Sequence, residues 1–242
     1  MSARRTSVAL VTGGSRGLGR ALAEGLLARG WSVVTDARHA VDLEAAATAL
    51  RAGLPAGARL AALAGDATDA GHRDALIRAG ADLGGLDLVV NNAGILGPSP
   101  QPPLAGYPLA RLREVYEANT IAPLAMIQTA LPLLRGSRDP RVLNVSSDAA
   151  VEAYEGWGGY GSSKAALEQL GRVLATEEAW LRVWTVDPGD MATQMHQQAF
   201  PGEDITDRPT PESVVGSVLE LINSSRPSGR YLAADLTATR HA

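Results

Sequence analysis

Near its start the chain reads Val8-Ala-Leu-Val-Thr-Gly-Gly-Ser-Arg-Gly-Leu-Gly19. A short apolar, β-rich run leads into a turn carrying Gly13, Gly14, Gly17 and Gly19. From 18 to 29 the apolar residues recur at helical spacing, and Gly30 closes the pattern. Buried strand, glycine-rich turn and helix is the reading. Glycines permit a tight turn and let a ligand's diphosphate approach the backbone, while the first turn of a helix offers unpaired N–H donors.

The same alternation continues outward. Strands are expected at 32–35, 59–64, 86–90, 141–145, 181–186 and, shorter, 229–233. Helices are expected at 43–51, 69–83, 109–118, 121–134, 160–178 and 211–223, with Asp69 near the start of one, where the helix dipole favours a carboxylate. A Pro/Gly-rich loop fills 97–103, and 191–208 lacks periodicity, which reads as a loop or lid over about 190–209. Strand–helix alternation implies a parallel sheet with right-handed crossovers and helices on both faces. The expected fold is therefore α/β: a three-layer αβα, Rossmann-like, doubly wound sheet of about seven strands. No linker divides the 242 residues, so residues 1–242 are read as a single domain.

Composition narrows the function. A net charge of −4 argues against nucleic-acid binding, which leaves a basic footprint. The absence of Cys removes disulfides, thiolate metal sites and a Cys nucleophile. His39, His72, His196 and His241 lack ligand spacing, so no metal site is expected. Residues 1–7 show no signal-like apolar region, and 121–134 is too short to span a bilayer. The expectation is a cytoplasmic protein with no membrane or nucleic-acid partner.

A second stretch, 146–164, holds Ser146 and Ser147 at the end of an expected strand, a glycine-rich loop, and Tyr160 and Lys164 four residues apart. On a helix these two side chains share a face and can touch one ligand. Taken in order, Thr12-Gly13-x-x-x-Gly17-x-Gly19, Asn91-Asn92-Ala93-Gly94, Asn119, Ser147, Tyr160-x-x-x-Lys164 and Asp187-Pro188-Gly189 with Thr193 resemble the short-chain dehydrogenase/reductase family. The resemblance covers essentially the whole chain and matches the single-domain branch.

It implies an oxidoreductase that moves a hydride between nicotinamide C4 and a carbonyl or secondary alcohol. Tyr160 is then the general acid/base, which needs a phenol shifted by roughly three units, about 4 kcal/mol, to work near neutral pH. Lys164 would supply a cation beside the phenolate and hold the nicotinamide ribose. Ser147 would donate to the carbonyl oxygen. Asn119 would kink a helix and anchor a water relay. The implied cofactor contacts are Gly13, Ser15, Arg16, Gly17, Leu18 and Gly19 in the turn, and Arg38, Asp66 and Ala67 around the adenosine. Asn92, Ala93 and Gly94 follow the fourth strand, and Tyr160, Lys164, Pro188, Gly189, Met191 and Thr193 surround the nicotinamide. Asn91 would brace neighbouring strands.

An acidic residue at the end of the second strand favours NAD, and a base there favours NADP. The sequence offers Asp36-Ala37-Arg38. Counting from Gly30, the discriminating position falls on Ala37, with Arg38 next and Asp36 on the other side of the strand. NADP(H) is favoured; a one-residue slip would reverse the choice to NAD(H). Ile95, Leu96, Ala149, Tyr154, Trp157, Met191, Met195 and Phe200 are the expected substrate-side residues, apolar or adaptable and without a base. A small, partly apolar carbonyl compound fits them.

The helices at 121–134 and 165–179 resemble those that build homodimers or homotetramers in relatives. The tail 228–235 and Thr210-Pro-Glu-Ser-Val resemble C-factor or sniffer-type carbonyl reductases, which keeps open a signalling protein with little catalysis. A 3-oxoacyl-carrier-protein reductase is a further alternative, weakened by that tail and by the lack of an obvious basic docking patch. Trp184 stands where many members carry Asn, with no function evident from sequence.

Overall fold

The computed structural model describes residues 5–238; His241 and the first four residues of the leader reading lie outside them. Seven parallel strands form one sheet in the order β3-β2-β1-β4-β5-β6-β7. They are β1 (Val8–Val11), β2 (Ser32–Ala37), β3 (Leu60–Ala64), β4 (Leu88–Asn91), β5 (Arg141–Val145), β6 (Arg182–Asp187) and β7 (Gly229–Leu232). The helices are α1 (Gly17–Ala28), α2 (Ala40–Ala52), α3 (Ala70–Asp82), α4 (Leu109–Tyr116), α5 (Ala122–Leu134), α6 (Gly158–Glu177), α7 (Gln194–Ala199), α8 (Pro211–Asn223) and α9 (Ala233–Ala238).

Side-chain alternation along the strands builds two cores. Ala9 and Val11 pack with Leu22 and Leu26 of α1 and Val218 and Ile222 of α8. Val8 and Leu10 pack on the opposite face with Leu76 of α3 and Met126, Ile127 and Leu134 of α5. Both faces of the sheet are covered, which is why its strands read as unbroken apolar runs. Among the described residues no helix is long and apolar enough to cross a membrane.

Four local features differ from the sequence reading. β2 continues to Ala37, so Asp36 lies inside it, paired with Leu63 of β3. The helices expected at 109–118 and 121–134 are joined by a π turn over Glu117–Ile121, where the side chain of Asn119 turns inward. Residues 191–208 are not all loop: Thr193 caps α7 by accepting from His196 N at 3.2 Å. A short helix, α9, follows β7.

Trp184 gains a structural account. It is fully buried in β6, and its Nε1 donates to the carbonyls of Pro227 at 3.0 Å and Arg226 at 3.2 Å. It thus ties β6 to the segment leading into β7. Trp184→Ala should destabilise the fold by about 3–5 kcal/mol, and Trp184→Phe by about 2 kcal/mol, since two carbonyls lose their donor. Urea unfolding measures both; a Trp184→Ala protein as stable as its parent contradicts the assignment.

Candidate active site

The loops after β1, β4, β5 and β6 meet at the carboxyl edge of the sheet, around the point where strand order reverses between β1 and β4. In such sheets that crevice is where ligands bind. Thr12 organises its floor. Its Oγ1 accepts from the backbone N–H of Asn92 at 3.1 Å and Ala93 at 3.0 Å. Asn92 Nδ2 donates back to the Thr12 carbonyl at 2.9 Å. The Asn92 side chain is therefore spent on the glycine turn, and Asn91 Nδ2 donates to Asn144 Oδ1 at 2.8 Å, linking β4 to β5.

The turn itself fits a dinucleotide diphosphate. Gly13 has φ of 75°, a conformation that favours glycine. A methyl on Gly19 would stand 2.3 Å from the Gly13 carbonyl, so α1 packs directly on the turn. Arg16 at the start of α1 makes no side-chain cap, which leaves the first N–H groups of the helix for an anion. Ser15, Arg16 and Gly17 line this end, and Leu18 is buried beneath it. From the far side, a methyl on Gly17 would come within 3.8 Å of Thr193 Cγ2.

Near the end of β2, Asp36 is 2% exposed. Its Oδ1 accepts from Gly13 N at 2.8 Å, and its Oδ2 lies 3.1 Å from His72 Nε2. Both oxygens are engaged below the turn. Arg38, by contrast, is exposed next to Asp66. Burial works against the Asp66 charge, but hydrogen bonds from Thr68 and the nearby Arg38 and His72 outweigh it, so the carboxyl sits below its ordinary range. The Ala67 carbonyl is occupied by Arg73 Nη1 at 2.8 Å.

Tyr160 and Lys164 project from α6 into the crevice, 7% and 4% exposed. Lys164 Nζ donates to the Val145 carbonyl at 2.8 Å and lies 5.7 Å from the Tyr160 ring centre. Asn119 Oδ1 accepts from Ile95 N at 2.8 Å, while its Nδ2 donates to the Ile95 carbonyl at 2.9 Å and Ser163 Oγ at 3.0 Å. The π turn, the loop after β4 and α6 are thereby pinned together. A methyl on Gly94 would stand 2.9 Å from Asn119 Oδ1 and 3.6 Å from Lys164 Nζ.

The electrostatics correct one expectation. Burial, with the Asp187 and Asp148 carboxylates adding to it, pushes the Tyr160 phenol well above its ordinary range rather than below it. Lys164 sits on the Val145 carbonyl instead of on the phenol oxygen. Burial lowers the Lys164 ammonium to about 8, with Glu168 holding it up in part. The two groups form a protonated phenol beside an easily discharged amine.

Ser147 Oγ donates to Asp148 Oδ1 at 2.8 Å. Tyr154 OH donates to Asp148 Oδ2 at 2.9 Å. Leu96, Ala149, Trp157 and Met195 gather around Tyr160. Trp157 further meets Tyr154, Tyr160 and Phe200, with ring centres 5.8–6.3 Å apart. Met191 does not join them: it packs on the α1–α8 core. Pro188 and Gly189 follow β6, with Gly189 N donating to Asp187 Oδ1 at 3.0 Å.

Residues that spacing alone does not single out complete the site. Asp148 holds Ser147, and Glu168 accepts from Ser146 Oγ at 2.6 Å. Arg230 reaches in from β7 to Glu168 and Asp187. The charge of Asp148 beside a Ser was a readable signal; the meeting of Arg230 and Glu168 depends on tertiary packing. Among the described residues no group of His, Asp and Glu is placed to hold a metal ion.

Comparison with known proteins agrees with this geometry. The short chain dehydrogenase family model matches residues 7–204. The chain is 40% identical over 197 residues to the rhamnolipids biosynthesis 3-oxoacyl-[acyl-carrier-protein] reductase of Pseudomonas aeruginosa, covering 78% of this chain and 74% of that protein. It is 36% identical over 204 residues to the sepiapterin reductase of Meriones unguiculatus, covering 80% and 77%. A short chain dehydrogenase from Escherichia coli CFT073, solved with NADPH, superposes with a TM-score of 0.85 at 29% identity over 94% of this chain and 96% of that one. A single-domain seven-stranded αβα sheet, a glycine turn on an uncapped helix and a Tyr160–Lys164 pair in one crevice thus accompany a matching family model: the chain belongs to the short-chain dehydrogenases, a family of oxidoreductases.

Proposed function

We propose that the chain is an NADP(H)-dependent reductase acting on the carbonyl, or the corresponding secondary alcohol, of a small, partly apolar compound. The observation that carries this reading is the buried Tyr160–Lys164 pair on α6, with Ser147 leading into the segment whose Ala149 packs on Tyr160. Arg38 and Arg16, both exposed at the adenosine and diphosphate end, support a 2′-phosphate, and the burial of Asp36 removes the carboxylate that would oppose it. The NADPH in the Escherichia coli neighbour supports the same choice.

A bound nicotinamide dinucleotide supplies or accepts the hydride. Tyr160 holds the proton: its raised phenol is protonated near neutral pH, the form that donates to a developing alkoxide. Ser147 releases Asp148 and donates to the same oxygen. Lys164 carries charge into the site, and Asn119 anchors the path by which its proton is replenished. Residues 190–209, with α7, cover the substrate. Exposed Ile121 and Val173, flanking α5 and on α6, support association of these helices as a homodimer or homotetramer.

The site also limits substrate charge. Asp148, Glu152 and Asp190 all act on Tyr154 and raise its phenol, with the Asp148 hydrogen bond the largest influence. No Arg or Lys lies among the expected substrate-side residues. A neutral or cationic carbonyl compound suits this field better than an anionic one. A second reading, 3-oxoacyl-carrier-protein reductase, draws on the Pseudomonas aeruginosa relative; acetoacetyl groups on carrier protein, tested against a free neutral ketone, separate the two.

Tyr160→Phe should abolish turnover, by roughly 10³-fold or more, while NADPH affinity changes only a few-fold; retained activity refutes the assignment. Wild-type kcat/KM should favour NADPH over NADH by at least tenfold, and Arg38→Ala should erase most of that preference, because a charged phosphate contact contributes roughly 1.5–3 kcal/mol. Equal use of both cofactors by the wild type contradicts the Arg38 role. Because the phenolate forms only toward the raised range of Tyr160, alcohol oxidation should keep climbing as pH rises from roughly 7 to 10, while ketone reduction is not lost through that group over the same range; oxidation that falls over this range sinks the Tyr160 account.

A further inference from the structure

Arg230 on β7 touches three elements of the crevice at once. Its Nε donates to Glu168 Oε1 on α6 at 3.0 Å. Its Nη2 donates to Asp187 Oδ2 at the end of β6 at 2.8 Å and to the Ser147 carbonyl at 3.4 Å. Glu168 and Asp187 are 2% and 5% exposed. Each carboxylate holds a second partner in the site: Ser146 Oγ on Glu168, and the Gly189 amide on Asp187. One guanidinium therefore links the Ser147 loop, the helix of Tyr160 and Lys164, and the backbone proposed to cradle the nicotinamide.

Two buried carboxylates this close need a cation between them. A planar guanidinium can bridge both and still reach a carbonyl; a Lys ammonium cannot match that fork. The charges facing the Tyr160–Lys164 pair come from Asp148 after β5, Asp187 at the end of β6, and Glu168 on α6, with Arg172 donating to Glu168 Oε2 at 3.2 Å. Arg230 is the cation that meets both Asp187 and Glu168.

We infer that Arg230 is a positioning residue for the reaction, fixing Ser147 and Gly189 against α6 and setting the charge around Tyr160 and Lys164 by neutralising Asp187 and Glu168. The inference rests on Tyr160 and Lys164 being the proton-transfer pair. Its consequence is directional. Removing the cation makes the site more negative and delays the pair's loss of protons to higher pH. Removing the Glu168 carboxylate does the reverse.

The test is the pH profile of kcat/KM for Arg230→Met, Glu168→Gln and Arg230→Lys in the full chain. Arg230→Met should move the profile up by about one pH unit, and Glu168→Gln down by a similar amount. Arg230→Lys should return the profile close to the parent position yet keep a lowered kcat, because the fork geometry is lost. A packing role alone lowers the melting temperature of the variants and leaves the profiles in place, or moves them in one direction; either result overturns the inference. Should Arg230→Met not fold, the Glu168→Gln and Arg230→Lys profiles decide it. The Cε resonance of Lys164, the sole Lys of the chain, follows the pair's titration without a substrate in lysine-labelled protein. Opposite shifts there without turnover would mean that the catalytic reading fails and the charge role stands. Turnover with unmoved profiles would mean the converse.

Discussion

A buried ammonium is the constraint to which the crevice is fitted. Lys164 is almost fully enclosed, and burial, offset in part by Glu168, lowers its ammonium to about 8. An uncompensated charge of this kind is expensive, and the surroundings answer it piece by piece. The Val145 carbonyl at the end of β5 accepts a hydrogen bond from it. Glu168, one turn further along α6, supports the charge. Gly94 leaves room beside Nζ that a methyl would fill, and Asn119 occupies the other side of that gap. The π turn follows from the same demand, since it lets Asn119 face inward while Thr120 Oγ1 donates to the Ser163 carbonyl at 2.9 Å.

Charge is then balanced outward. Burial first, with Asp187 and Asp148 adding to it, holds the Tyr160 phenol protonated, and Arg230 keeps Asp187 and Glu168 from acting as bare anions. At the opposite end of the crevice a second buried carboxylate, Asp36, is spent on the Gly13 amide and His72. A methyl on Gly65 would collide with the His72 ring at 2.2 Å, so that pair has space made for it. Asp36 thus shapes the glycine turn from below, and Arg38 is left to face solvent at the rim.

The fold was legible because its signals are local. Apolar runs at 8–12, 86–90 and 141–145 mark the parallel strands, and the helical periods between them are strong. The site was legible in type, since Tyr160 and Lys164 share a helix face by spacing alone. Other parts were not. The extension of β2 through Asp36 and Ala37 comes from pairing with β3, a contact no local pattern reports. Helix α7 is one and a half turns with a Thr193 cap, too short to show a period. Asn119 lies in an irregular turn set by side-chain bonds to Ile95 and Ser163, far away in sequence. Arg230 meets Glu168 across 62 positions of chain, and only the sheet order brings them together.

The central claim is that one crevice brings a dinucleotide's reactive ring to Tyr160 and Lys164. A crystal structure of the protein grown with NADPH tests it most directly. The account predicts the diphosphate on the first turn of α1, the 2′-phosphate beside Arg38, and the nicotinamide between Gly94, Gly189 and the Tyr160 hydroxyl, with Lys164 turned to its ribose. Density for the dinucleotide elsewhere, or a phosphate placed on the Asp36 side away from Arg38, would contradict it.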